Sequence, residues 1–303
     1  MDHAVVVLAG ATGNLGGRIA GALLERGAGV RTIVRRGSAP DKVAELRKRG
    51  AAIIEVDFNS VDELAGACSG ASCVVSALSG LRDVVVEAQT SLLNAAVRAG
   101  VPRFIPSDYS IDFTKLPPGT NRNLDLRREF HARLDKAPIS ATSVLNGMFA
   151  DLLTGQAPII LFKLKRVVYW GDADQQLDFT TTANVGEFTA NAALDASTPR
   201  FLRIAGDRLS ARGLAEVAGQ VTGAKFRLLR AGGLTGLEAL IKVTRTLFPQ
   251  RDVIYPPWQG MQYMHNMFSG RVRLECLDND RYPGMRWTKV REVLAARQSQ
   301  GRD

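Results

Sequence analysis

The sequence predicts an α/β protein: a Rossmann doubly wound parallel sheet followed by a smaller C-terminal substrate lobe. Three observations carry this. A glycine-rich turn joins a strand-like to a helix-like segment within the first twenty residues, strand-like and helix-like segments alternate through the first half, and the pattern changes beyond residue 150. Alternation of this kind builds a parallel sheet covered by helices on both faces. The expected division is therefore residues 1–150 for nucleotide binding and 151–303 for a lobe packed on the C-terminal strand ends.

The first strand, Ala4 to Leu8, runs into Gly10-Ala11-Thr12-Gly13-Asn14-Leu15-Gly16-Gly17 and a helix from about Leu15 to Arg26. Glycine lets the backbone turn sharply and approach a pyrophosphate, which free N–H groups at a helix start then hold. The spacing alone matches many turns, but here it follows a strand and opens a helix, as the dinucleotide motif requires. Gly10, Thr12, Gly13, Asn14 and Leu15 are thus expected to hold cofactor. The second strand, Val30 to Val34, ends in Arg35-Arg36, where an NAD-preferring protein carries an acid. Arginine pairs with phosphate oxygens, so Arg35 and Arg36 favour NADP(H), with Lys42 as a further positive charge. The plainer alternative is a pair of solvated charges at a strand end.

Further helices are expected near Asp41 to Arg49 and Val61 to Cys68, and strands at Ala52 to Val56 and Ser72 to Ala77. A helix from Arg82 to Arg98, a strand at Arg103 to Pro106, a helix from Leu124 to Lys136 and a sixth strand at Thr142 to Leu145 complete the first half. Asp57, past strand three, is positioned to accept from the adenine amino group, or is a plain loop carboxylate. Ala77, Leu78 and Ser79, past strand four, and Ser107, past strand five, lie where loops line the ligand crevice. The second half gives strands at Leu161 to Tyr169 and Arg200 to Ile204. Its helices are expected at Val185 to Leu194, at Ser210 to Thr222 with a serine cap, and near Lys289 to Arg297. Trp258, Met261, Tyr263, Met264, Met267 and Phe268 form either an apolar substrate wall, plain core, or an oligomer contact such as that of a homodimer.

Composition bounds the rest. The 303 residues are 46% hydrophobic and 23% charged, ordinary for a globular protein with a proper core. No apolar run reaches membrane-spanning length, and Met1-Asp2-His3 lead straight into the first strand without a signal peptide. Cys68, Cys73 and Cys276 have no metal-ligand spacing, which fits a reducing cytoplasmic compartment. The net charge of +9 attracts anionic ligands, but the basic residues are interspersed with acids. The expected partner is a small-molecule substrate, with no nucleic acid and no membrane.

Several stretches together resemble one family. They are Gly10-Ala11-Thr12-Gly13, Val34-Arg35, Val74-Val75-Ser76-Ala77, Ala99-Gly100-Val101-Pro102-Arg103-Phe104-Ile105-Pro106-Ser107 and the strand Thr142 to Asn146. They resemble the NmrA-like and isoflavone-reductase-like branch of the atypical short-chain dehydrogenases, over about the first 150 residues. The run from Ala99 to Ser107 is the most specific. The resemblance implies a Rossmann core, NADPH as cofactor, and one of two kinds of member: a true reductase or a redox-sensing binder without turnover.

Reductases of that branch carry a lysine on the helix before strand six, and counting back from Ile139-Ser140-Ala141-Thr142 places Arg127 there. The departure matters, because arginine stays charged and cannot release a proton. Arg127 can hold the nicotinamide ribose or polarise a carbonyl. The Tyr-x-x-x-Lys pair of ordinary short-chain dehydrogenases is also absent, with Asn123 in the tyrosine's place. Tyr109, just past strand five, and His131, one turn after Arg127, are the remaining proton-donor candidates; as packing and exposed helix residues they have equally plain readings. The sequence thus leaves an NADPH-dependent reductase of a small carbonyl or enone-type molecule beside a non-catalytic NADP(H) sensor, with a nucleotide-sugar epimerase as a third reading.

Overall fold

The computed structural model describes residues 4–299, so Met1, Asp2 and His3 lie outside the described residues. The chain divides into two compact units. The first comprises residues 1–109, 126–144 and 185–202, and the second residues 110–125, 145–184 and 203–303. The chain passes from one unit to the other five times.

The first unit is built on β1 (Val5–Ala9), α1 (Asn14–Glu25), β2 (Gly29–Arg35), α2 (Pro40–Lys48), β3 (Ala52–Val56), α3 (Val61–Cys68) and β4 (Cys73–Ser76). A π-helix, Asp83–Ala88, then precedes α4 (Gln89–Arg98) and β5 (Arg103–Ile105). The sequence predicted one continuous helix there. α5 (Arg122–Leu134) leads to β6 (Ser140–Ala141), and the strands pair in parallel in the order β3-β2-β1-β4-β5-β6. This is the doubly wound Rossmann order, and its direction reverses between β1 and β4. The sixth strand falls two residues earlier than expected. β7 (Ser143–Leu145) leaves the sheet, with the Ser143 N–H donating to the Arg200 carbonyl at 2.8 Å.

The sheet forms because its strands are nearly continuous runs of β-branched and small residues. Val6 to Ala9 and Cys73 to Val75 are fully buried, as a strand covered on both faces must be. One side of the core gathers Val7, Ile33, Leu64, Leu92, Phe104 and Phe130, and the Phe104 and Phe130 rings lie 6.2 Å apart. Arg103 is also buried. Its guanidinium donates to the carbonyls of Ala192 (2.7 Å) and Ala193 (3.0 Å) and to Thr198 Oγ1 (2.7 Å). Those carbonyls close α6 (Thr182–Leu194), so a cation meets the negative end of the helix.

The second unit holds short strands: β8 (Met148–Phe149), β9 (Ile160–Leu161), β10 (Arg166–Trp170) and β11 (Leu177–Thr180). The expected strand from Leu161 to Tyr169 is an antiparallel hairpin of β9 and β10, turned at Lys165, whose φ is +50°. After β12 (Phe201–Arg203) and β13 (Asp207–Leu209), α7 (Ala211–Thr222) starts on Ser210, whose Oγ accepts the Gly213 N–H as expected. β14 (Arg227–Gly232), α8 (Leu234–Leu247), α9 (Pro257–Phe268) and α10 (Val290–Ser299) complete the unit. Trp258, Met264, Met267 and Phe268 on α9 are buried, so the core reading of that cluster fits these four. Among the described residues, no helix is long and apolar enough to cross a membrane.

Candidate functional site

The site begins with the turn between β1 and α1. Gly10 has φ +86°, and a Cβ there would stand 2.5 Å from the Ala77 carbonyl oxygen. Glycine is therefore required at this position. A Cβ on Gly16 would collide with the Gly10 backbone, so Gly16 sets how closely α1 approaches the turn. Gly13 differs. Its Cβ would meet only the Gly10 carbonyl, at 3.3 Å, and otherwise open space. Gly13 is also the N-cap of α1, and no side chain caps that first turn, which leaves donors for an anionic ligand.

Around this turn lies a cleft of about 670 Å³, lined by Gly10, Thr12, Gly13, Arg35, Arg36, Asp57, Ala77, Leu78 and Ser79. It sits at the reversal of strand order, where open α/β sheets bind their ligands. Most of the expected cofactor residues thus converge. Asn14 and Leu15 open α1 without lining the cleft, and neither exposed Lys42 on the first turn of α2 nor Ser107 past β5 lines it. Phe58, Asn59, Asp83 and Val84 line it without having been singled out in the sequence.

The electrostatics of the rim are specific. Arg35 is exposed, and its side chain has no ion pair among the described residues. Arg36 Nη2 donates to both carboxylate oxygens of Glu63, at 2.9 and 3.0 Å. Asp57 Oδ1 accepts from the Asn59 amide (2.9 Å) and from Asn59 Nδ2 (3.1 Å), which folds the loop after β3. The glycine cradle, the uncapped helix start and an unpaired guanidinium fit a phosphorylated dinucleotide.

Ser107 joins the cleft wall to the β5 loop. Its Oγ donates to the Leu78 carbonyl at 2.6 Å, and its amide donates to Gln89 Oε1 at 2.9 Å. Arg127 Nε in turn donates to the Ser107 carbonyl at 3.1 Å. Arg127, the position reached by the sequence count, thus meets the loop that follows β5.

His131 is buried, not an exposed helix residue. Its Nε2 lies 2.6 Å from Asp108 Oδ2 and its Nδ1 lies 3.3 Å from Arg200 Nη2. A guanidinium only donates, so Nδ1 accepts and Nε2 carries the proton. Ser143 Oγ donates to the same Asp108 oxygen at 2.6 Å and accepts from Arg200 Nη1 at 2.7 Å. The serine hydroxyl thus faces the carboxylate instead of the imidazole, which excludes a nucleophile triad. Burial by itself would push the Asp108 carboxyl up, but the His131 ring, the Ser143 hydroxyl and the Arg127 charge together hold it below its ordinary value.

Tyr109 is buried too. Burial, with smaller contributions from the Asp108 and Cys73 charges, pushes its phenol well above the ordinary range despite the nearby Thr189. Neither the Tyr109 nor the Thr189 hydroxyl has a partner at hydrogen-bond geometry among the described residues. Neither Tyr109 nor His131 lines the cleft. Arg200, the half-buried cation of the network, carries no sequence signal, because nothing in its spacing distinguishes it from a surface charge.

A Rossmann sheet with a phosphate-sized cradle at its reversal point defines a nucleotide-binding type of fold. The profile of the NmrA-like family matches residues 2–240, and the chain belongs to that family. Pinoresinol reductase 1 of Arabidopsis thaliana is 31% identical over 208 residues, covering 64% of this chain and 65% of that protein. The chain therefore aligns with slightly under two thirds of that relative's length. Among solved structures, AtPrR2 with NADP+ and (+)pinoresinol superposes with a TM-score of 0.81 at 21% identity, covering 98% of this chain and 99% of that one. The NADPH-dependent quinone oxidoreductase QOR2 of Escherichia coli gives 0.73 at 17% identity, covering 96% and 98%.

Proposed function

We propose that this protein is an NADPH-dependent reductase of a small carbonyl or enone-type molecule. The observation that carries it is the cleft itself: a glycine cradle at the sheet reversal beside an unpaired Arg35. The relative named as a pinoresinol reductase supports the same reading. Bound there, the cofactor supplies a hydride from its nicotinamide. The chain's own part is to hold the pyrophosphate on the α1 amides, meet the 2′-phosphate with Arg35, and fix Arg127 against the Ser107 carbonyl at the sheet edge. Titration with NADPH and NADH, then NADPH absorbance across quinones, aldehydes, enones and flavonoid-like compounds, tests it. Equal affinity for the two dinucleotides sinks the cofactor choice.

A second reading, a non-catalytic NADP(H) sensor acting on a partner protein, has one observation in its favour. Both ring nitrogens of His131 are committed to Asp108 and Arg200, and Tyr109 is buried with a raised pKa. Neither residue is thus set to hand a proton to a ligand in the cleft. Failure to turn over any compound in a broad panel, with NADPH and NADP+ protecting different proteolytic sites, selects the sensor.

A further inference from the structure

Glu63 stands three residues after Ser60, the N-cap of α3 whose Oγ accepts its amide, and does not line the cleft, yet its carboxylate joins two of the cleft's walls. Both of its oxygens accept from Arg36 Nη2, and Oε2 also accepts the Asp57 amide at 2.9 Å. Arg36 ends the wall from β2 and Asp57 ends the wall from β3. The charged lining groups are Arg35, Arg36, Asp57 and Asp83, two of each sign. With Glu63 the balance around the cleft becomes negative, in a chain whose net charge is +9. This is an odd setting for a polyanionic ligand, and the excess negative charge sits on one of the two guanidinium groups.

We infer that Glu63 is a specificity-determining residue, competing with the cofactor's 2′-phosphate for Arg36 and so limiting the preference for the phosphorylated dinucleotide. The inference rests on the NADP(H) reading of the cleft. A carboxylate and a phosphate monoester are alternative partners for one guanidinium, and each is best met by its planar fork. The Arg36 and Glu63 side chains are 67% and 38% exposed, so their pairing is screened and exchangeable. Glu63→Gln isolates the charge: its amide oxygen still accepts the Asp57 N–H, while its NH2 group cannot accept from Arg36.

The experiment is equilibrium binding, by fluorescence titration of NADPH and NADH and by calorimetry with 2′,5′-ADP, on the full chain. Glu63→Gln is expected to tighten NADPH and 2′,5′-ADP by about two- to tenfold, the range of one screened charge contact, and to leave NADH unchanged. The double variant Glu63→Gln, Arg36→Ala should lose that gain. Glu45→Gln, which removes an equal charge from an exposed pair with Arg49 away from the cleft lining, should not reproduce it. Unchanged or weakened NADPH binding in Glu63→Gln overturns the inference, as does an equal change for both dinucleotides or the same gain in Glu45→Gln. If the unmodified protein binds neither dinucleotide, the cofactor reading itself has failed.

Discussion

At the scale of single residues, neighbouring positions in the cleft do different work. Replacing Arg35 with Ala should cost about 1.5–3 kcal/mol of NADPH affinity, the worth of a charge-assisted hydrogen bond, and spare NADH in fluorescence titration. Gly13→Val should leave a folded protein that calorimetry finds unable to bind either dinucleotide, because the new side chain fills the space the pyrophosphate needs. Asp108 tests the buried network beneath. Its folded-state pKa is depressed, so its contribution to stability is present above the unfolded value near ~3.9 and is lost as pH falls through the folded value. Asp108→Asn should therefore lower the melting temperature at neutral pH and flatten the acid limb below about pH 4. The partners whose charge or hydrogen bond sets that shift are His131, Ser143 and Arg127.

At the scale of elements, Gly16 and Gly66 both lie inside helices, in opposite surroundings. A Cβ at Gly16 strikes the Gly10 backbone, whereas a Cβ at Gly66 on α3 meets nothing within 4 Å. Gly16→Ala should destabilise by about 1–3 kcal/mol through overpacking, and Gly66→Ala should stabilise by about 0.5–1 kcal/mol through helix propensity. Chemical denaturation of the two variants measures both. The first unit's strands and helices were legible because buried parallel strands read as unbroken apolar runs, with the glycine-rich turn at Gly10 marking the first strand's end. The π-helix at Asp83–Ala88 carries no periodic signal of its own, which is why Asp83 and Val84 were missed as cleft residues. α8 was missed although its pattern is amphipathic, with Leu237 and Ile241 buried one turn apart; Leu240, Val243 and Leu247 are exposed beside them, and no side chain caps its start. His131 misled because a polar side chain at a helical spacing looks exposed until Asp108, distant in sequence, supplies its partner.

At the scale of the whole molecule, the first unit is not assembled from one stretch of chain. Residues 185–202 return to the first unit, and the two carbonyls and one hydroxyl they bring accept three hydrogen bonds from the buried Arg103 guanidinium. A fragment ending at residue 150 keeps all six strands but leaves that guanidinium without acceptors, an uncompensated buried charge costing about 3–5 kcal/mol. Such a fragment should show no cooperative unfolding transition by circular dichroism, and Arg103→Ala in the full chain should lower the melting temperature. The same tie orders events during synthesis. The nucleotide-binding half, though encoded first, cannot close until about two thirds of the chain has left the ribosome, so its nascent form waits with a charged side chain still seeking a helix that has not been made.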